Sequence, residues 1–351
     1  MHSSNIPITI AIVGLGRAGW SLHLQPILEI KGFKIVAVAD PAPERRKEAV
    51  EETNCTAFEN IDALLAGSAA EVVVVATPST LHYGDAIKVL SAGRHCILEK
   101  PIAMNYAEAK EIASLAREKN LKLFVNHTYL HRPEYHHFRR VIERGVLGPI
   151  FNIRVIRGGY SRRWDWQALK KNGGGILNNT CPHLFTLMLP LLDSPVREVF
   201  ADSRNIKDVG DAEDHVHIVM KTDSGITGDL TTSTALAGDS GPTYTLNGKY
   251  GALISDGQTS KLRYYTPASA KPLEIIDAAA PGRVYMREEL PWIEEELTVE
   301  SCPVPSFHEN VYDVLVGKAD QIVTPESAIE VVRVTEMAQK SAAQITQAYC
   351  D

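Results

Sequence analysis

Short apolar runs recur through the first third of the chain, at residues 8–13, 34–39, 72–76, 95–98 and 121–125, separated by stretches whose apolar residues return every three or four positions. Several of these runs are apolar at nearly every position. That is the pattern of strands covered on both faces in a parallel sheet, not of strands with one wet face. The intervening stretches carry helix signals. Asn105 with Glu108 three residues on forms a cap, Ala109, Ile112, Ala113 and Ala116 then share one face, and Gly93 ends the preceding helix. Strand and helix in alternation predict βαβ units.

After residue 126 the periodicity changes. A helical stretch at 134–144 is followed by a strand pattern at 151–157, the glycine-rich Gly173-Gly174-Gly175, and a helical run at 180–192. Val216, Ile218 and Met220 share one face, Thr222-Asp223-Ser224-Gly225 turns the chain and residues 226–233 return, which predicts an antiparallel hairpin. Further strands are expected at 244–247 and 253–265. Thr324 as N-cap, Pro325 in the first turn and Glu326 beside the positive helix end open a last helix at about 325–347, with Ala328, Val331, Val332, Thr335, Ala338 and Ala342 as its buried stripe. An α/β unit is thus followed by an α+β unit.

Composition narrows the class. At 351 residues the chain is about twice an ordinary domain in length. Hydrophobic residues make up 44% and charged residues 23%, and no stretch reaches the ~18 apolar residues of a membrane-spanning helix. Lys and Arg number 36 against 43 Asp and Glu, a net charge of -7, which leaves no cation excess for nucleic acid. Cys55, Cys96, Cys181, Cys302 and Cys350 are odd in number and scattered, the pattern of free thiols in a reducing cytoplasm. The first residues show no targeting pattern.

Chemistry enters at the glycines. Gly14-Leu15-Gly16-Arg17-Ala18-Gly19 follows the first strand and opens a helix, where such a turn brings backbone N–H groups to a pyrophosphate. Asp40 ends the second strand about 20 residues on, placed to accept hydrogen bonds from ribose hydroxyls. A carboxylate there repels a 2′-phosphate, which favours NAD over NADP; Arg45 and Arg46 nearby are read as a solvated helix face. Thr77-Pro78-Ser79-Thr80-Leu81-His82 and Glu99-Lys100-Pro101 follow later strands, at the sheet edge where open α/β sheets bind ligands. Taken alone, Lys100 reads as a surface cation and His82 as a helix-start residue, and it is the position at a strand end that raises both.

These segments, with Gly173 to His183 and the later Phe307 to Leu315, occur in the order and spacing of the Gfo/Idh/MocA oxidoreductases, the glucose-fructose oxidoreductase and inositol dehydrogenase family, which the chain resembles over nearly its whole length. The resemblance implies an α/β Rossmann domain, taken as residues 1–125, and an α+β domain with a mainly antiparallel open sheet, taken as 126–351. It also implies NAD(P)-dependent chemistry on sugars and cyclitols in a homodimer or homotetramer. Lys100 resembles the family lysine that holds the reacting oxygen, and His183 the histidine that donates and accepts the proton. Asn126 resembles a position near the nicotinamide. Four residues before the histidine, where much of the family carries Asp, this chain has Asn179, which orients groups but supplies no charge.

Tyr160, Arg163, Trp164, Asp165 and Trp166 are expected on the substrate side, because aromatic planes and charged donors suit a polyol; the alternative is that the tryptophans pack the domain. Cys181 is read as a small site-lining residue. His131, His136 and His137 with Glu134 suggest a metal set, but His136 and His137 are adjacent on a helix and point to different sides, so a basic helix surface is expected and no metal. The leading function is an NAD-dependent dehydrogenase or reductase of CH–OH groups. A lyase or glycosidase retaining NAD and a non-catalytic NAD-binding regulator are the alternatives.

Overall fold

The computed structural model describes residues 6–238, 240–278, 282, 285–299 and 304–350, with residues 345–350 described by backbone alone. Its first sheet contains β1 (Ile8–Val13), β2 (Phe33–Ala39), β3 (Thr56–Phe58), β4 (Val72–Val75), β5 (His95–Leu98) and β6 (Leu123–Val125). The order is β3-β2-β1-β4-β5-β6, and every pair is parallel. The four valines of β4 are all fully buried, as a strand covered on both faces requires. Crossovers are made by α1 (Gln25–Leu28), which continues a π-helical turn Ala18–Leu24, and by α2 (Pro43–Thr53), α3 (Ile61–Gly67), α4 (His82–Ser91) and α5 (Tyr106–Glu118). The Asn105 side chain accepts from Glu108 N at 2.9 Å, the cap expected for α5. Strand order reverses between β1 and β4, which opens a crevice at the carboxyl ends of these strands.

The second unit adds α6 (Pro133–Glu143), β7 (Ile150–Gly158), α7 (Ile176–Asn179), α8 (Cys181–Leu192), β8 (Val196–Arg204), β9 (His215–Thr222), β10 (Thr227–Ser233), β11 (Tyr244–Gly248), β12 (Gly251–Ser255), β13 (Thr259–Tyr264) and β14 (Ile293–Thr298). They form one sheet in the order β14-β13-β12-β11-β7-β10-β9-β8. Only β7 and β10 pair in parallel among these neighbours; the expected hairpin is the β9–β10 pair, with Leu230 opposite Ile218. Helix α8 packs Leu184, Phe185, Leu187 and Met188 against the inner face.

This unit differs from the sequence reading in several places. The stretch 253–265 is two strands, not one, because Asp256 Oδ1 accepts from the N–H groups of Gln258 and Thr259 and turns the chain. Strands β8 and β14 were not expected: β8 slips register between Val196 and Glu198, which breaks alternation, and β14, laddered on β13 at the edge, carries Glu294 and Glu295, paired with Arg263 and Arg144, in place of an apolar alternation. Cys181 is not a site-lining residue but opens α8 fully buried in the core. Cys55, Cys96 and Cys181 are free thiols; Cys302 and the side chain of Cys350 lie outside the described residues.

The chain then returns to the first sheet. Helix α9 (Phe307–Leu315) buries Phe307, Val311 and Val314 with Ile8, Ile10 and Ile12 of β1. Helix α10 (Pro325–Cys350) joins both units: Ala328 and Val332 pack with the Rossmann-type core, while Val331, Val334 and Ala338 enter the core of the second sheet. The crevice at the β1/β4 reversal therefore has a firmly packed floor on both sides. No helix among the described residues is long and apolar enough to cross a membrane.

Candidate active site

The glycine turn after β1 separates the steric needs of the fold from room left for something else. A Cβ on Gly14, whose φ is +88°, would lie 2.6 Å from Ala76 O, and one on Gly19 would lie 1.7 Å from Gly14 O. A Cβ on Gly16 would meet nothing within 4 Å. Nothing among the described residues requires glycine at 16, so the bare backbone there leaves open room of the kind that lets backbone N–H groups approach a pyrophosphate. Leu15 is buried, whereas Arg17 is exposed and Ala18 half-buried at the mouth.

Asp40 is buried at the end of β2. Its carboxylate accepts from Leu15 N at 2.7 Å and Ala42 N at 2.9 Å, so it braces the glycine turn as well as facing the crevice. Arg46 is not merely a solvated helix residue, since it donates to the carbonyls of Asp40 and Pro41 at 2.7 and 3.0 Å. Arg45 stands 3.6 Å from the Asp40 carboxylate and remains half exposed.

The loops after β4 and β5 are tied to each other. Thr77 Oγ1 donates to Asp85 at 2.8 Å. His82 is buried with Nδ1 2.7 Å from Pro101 O and Nε2 3.0 Å from Thr77 O. Both ring nitrogens thus face carbonyls, one in the loop that Thr77-Pro78 begins and one in the Glu99-Lys100-Pro101 segment, and the single N–H of the neutral ring donates to one of them.

Glu99 is buried beneath this edge. Burial opposes its ionisation, but hydrogen bonds from His23 and Asn126 and the nearby Lys100 outweigh it and hold the carboxyl at about 2. Its Oε1 lies 3.0 Å from His23 Nε2 and accepts from Asn126 Nδ2 at 2.6 Å, and His23 Nδ1 meets His308 Nε2 at 3.0 Å. Asn126 Oδ1 is left buried with no hydrogen-bond partner among the described residues.

Lys100 reaches across to the second unit. Its ammonium donates to Asn179 O at 2.9 Å and to Asn179 Oδ1 at 3.0 Å, and one of its three N–H groups has no protein acceptor among the described residues. Burial lowers its pKa while Glu99 pulls it back up. Asn179 Nδ2 donates to Gln167 Oε1 at 2.6 Å, so the amide has its oxygen toward the cation. The short helix α7 that carries Asn179 is preceded by its N-cap Gly175, whose φ is +100° and where a Cβ would lie 2.1 Å from Glu213 Oε1. Glu213 accepts from Leu177 N at 3.0 Å, and burial raises its pKa.

His183 sits in the first turn of α8. Its ring stacks on Tyr129 with centroids 5.0 Å apart, and the Arg132 guanidinium lies 3.9 Å over the same tyrosine ring. Burial, then the charge of Lys100 and the proximity of His127, push the imidazole down to about 3, so it is neutral at ordinary pH. Its Nδ1 is buried without a partner, as is Nε2 of His127. A cavity of about 110 Å³ opens beside Asn179, lined also by Ser161, Arg163, Gln167, Thr180 and Glu213.

Other expected residues are less engaged. Tyr160 and Trp166 are exposed, Trp164 is 86% exposed, and neither tryptophan packs the domain. Arg163 lines the cavity and pairs with exposed Asp165 at 2.9 Å. The histidine-rich stretch is not a basic surface: His137 is buried 3.0 Å from Ser260 Oγ, and His131 and His136 bond the carbonyls of Pro305 and Leu130. No group of three or more His, Cys, Asp or Glu placed to hold a metal occurs among the described residues. Sequence reading missed Gln167, Glu213, His23, His127 and His308. Only His127, next to Asn126 at a strand end, carried a positional signal.

Residues 8–127 match the oxidoreductase family model with an NAD-binding Rossmann fold, and residues 135–254 match the GFO/IDH/MocA C-terminal domain. The chain belongs to the Gfo/Idh/MocA oxidoreductase family. The scyllo-inositol 2-dehydrogenase (NADP(+)) IolW of Bacillus subtilis is 24% identical over 346 residues, 95% of this chain and 93% of that protein. An NAD-binding protein from Listeria innocua superposes with a TM-score of 0.82 at 24% identity, covering 97% and 98% of the two chains. The WlbA dehydrogenase from Bordetella pertussis, solved with NADH and UDP-GlcNAcA, superposes with a TM-score of 0.77 at 22% identity, covering 96% and 97%. This Gfo/Idh/MocA member is an NAD-binding oxidoreductase with sugar-related relatives. The open backbone at Gly16 and the orphaned Asn126 Oδ1 fit a dinucleotide laid along the crevice.

Proposed function

We propose that the protein is an NAD-dependent dehydrogenase or reductase acting on a secondary alcohol or ketone of a sugar, sugar derivative or cyclitol. The observation that carries this reading is the Lys100 ammonium held on Asn179 within electrostatic reach of buried His183, with an ammonium N–H and the Asn126 amide oxygen left without partners among the described residues. NAD, held by the Gly14–Gly19 turn and Asp40, supplies the hydride acceptor or donor when bound. Lys100 directs its remaining N–H to the reacting oxygen and stabilises alkoxide character there. His183, neutral because it is buried among cations, takes the hydroxyl proton in oxidation and returns it in reduction. Asn179 holds the ammonium in place and, with Arg163 and Gln167, lines the cavity for substrate hydroxyls.

The Asp40 carboxylate opposes a 2′-phosphate, which supports NAD over NADP even though one relative is named for NADP(+). Buried free thiols suit a reducing cytoplasm. The test is a thermal-shift titration with NAD and NADP, followed by absorbance at the NADH band with polyols, sugar acids and cyclitols. Stabilisation by NAD and net NADH formation are expected. No shift with either dinucleotide, or substrate turnover without net NADH, overturns the reading.

A further inference from the structure

His127 is held behind His183 in one tautomer. The Thr186 hydroxyl donates its proton to Pro182 O at 2.7 Å, so toward His127 that oxygen is an acceptor, and His127 Nδ1 must carry the N–H of their hydrogen bond. Burial keeps His127 neutral, with its pKa pushed down to about 3. Its Nε2 is therefore a bare lone pair, buried and with no donor among the described residues. Thr186 stands three residues beyond His183 on α8, so the His127 ring lies over the helix face that also bears His183. His183 Nδ1 is likewise buried and unpartnered, and Tyr129, two residues beyond His127, stacks on the His183 ring. A bare acceptor and a nitrogen able to carry a proton are thus left over on two rings close enough to affect each other's ionisation, and the two atoms do not bond each other in this structure.

We propose that His127 is a positioning residue for the proton step: its Nε2 accepts the Nδ1–H of His183 in the working complex and so leaves Nε2 of His183 as the base. This rests on the reading of His183 as the proton acceptor. Without such an acceptor the His183 proton is free to sit on Nε2, where it blocks the base. The chain Pro182 O, Thr186, His127, His183 then sets a tautomer with no carboxylate, in a protein whose residue 179 is an amide. Lys100, Glu99 and Arg132 are the charged groups near the pair.

The test is nitrogen-15 histidine tautomer spectroscopy on the full chain saturated with NAD alone, paired with kinetics on whichever polyol forms NADH. In the wild type both His127 and His183 are expected as Nδ1–H forms. Thr186→Val removes the hydroxyl and is expected to release His127 from that form, whereas Thr186→Ser keeps it. His127→Phe is expected to move the His183 proton toward Nε2 and to lower kcat about 10–100-fold with KM for NAD unchanged. His127→Gln, which offers an amide oxygen in place of Nε2, is expected to restore most of the rate. An Nε2–H form of His183 in the wild type, or an unchanged kcat in His127→Phe, overturns the proposal. Because the spectra are read before any substrate is added, normal tautomers with no NADH formation would count against the dehydrogenase reading and not against this one.

Discussion

Asn179 Oδ1 lies 3.0 Å from the Lys100 ammonium and is turned there by the bond its own Nδ2 makes to Gln167. The contact joins the loop after β5 to the helix before α8, and so joins the cofactor side of the crevice to the substrate side. It does so without negative charge, which leaves Lys100 and His183 with Glu99 as the main opposing charge.

Asn179→Asp should therefore change proton chemistry more than structure. A carboxylate at this point pairs with Lys100 and favours the charged forms of both Lys100 and His183, by about one to two pH units for a close pair. The acid limb of kcat/KM, expected well below pH 6 in the wild type, moves upward in the variant, and activity at pH 5.5 falls relative to pH 8. A pH–rate profile checks this; superimposable acid limbs would show that residue 179 does not govern His183.

Stability should fall on mild acidification. His127, His183 and His308 are each held at about 3, by burial first, whereas the unfolded chain titrates them at the ordinary 6.5. Between those values the unfolded state binds protons that the folded state refuses, so stability present above pH 6.5 is lost as pH drops toward 3. The slope approaches about 1.4 kcal/mol per pH unit for each imidazole. Glu99, lowered to about 2 from 4.5, acts in the same direction at lower pH. Urea unfolding at pH 7.5, 6 and 5 should show this loss, and His308→Phe should flatten it by one imidazole's share. Equal stability at all three values would refute the assignment.

What was legible in the sequence was local. The valines of β4, the glycine turn and the cap at Asn105 are each written within a few neighbouring residues, and each took the expected form. What stayed hidden was assembled from a distance. His23 and His308 meet across 285 positions, and Lys100 meets Asn179 across 79, so no periodicity connects them. Strand β14 was hidden for a different reason: its Glu294 and Glu295 pair with arginines on neighbouring elements, which leaves no apolar alternation to read. His137 looked like surface because a histidine on a helix carries no sign of whether a serine such as Ser260 will meet it in the core.

The outer face of the large sheet should drive self-association. Phe200 is more than half exposed and Ile254 is 44% exposed, and each alternates with a buried neighbour, Ala201 and Leu253, so both stand on the face opposite the one that α8 covers. Large apolar side chains left exposed along one sheet face favour a partner surface. Light scattering should find a dimer or tetramer. Phe200→Glu with Ile254→Glu should shift it toward monomer with the circular dichroism spectrum unchanged, since both side chains already face solvent in the single chain. A wild-type monomer, or a double variant with undiminished assembly, would rule out this face.

The glycines offer a separation of fold from binding. Gly19→Ala would set a Cβ 1.7 Å from Gly14 O, a backbone atom that cannot swing aside, so helix and strand must move apart. A loss of several kcal/mol, of about the size of an overpacked core or greater, is expected in urea unfolding. Gly16→Ala meets nothing within 4 Å, and residue 16 is not in the left-handed region, so the fold should tolerate it and gain up to about 1 kcal/mol from the stiffer unfolded chain. The same methyl stands where the backbone would approach a pyrophosphate, so NAD affinity should fall about tenfold or more, a change of about 1.4 kcal/mol. Thermal shift with and without NAD reads both effects in one series. If Gly16→Ala binds NAD as tightly as the wild type, the open cradle at residue 16 is not where the dinucleotide phosphates lie.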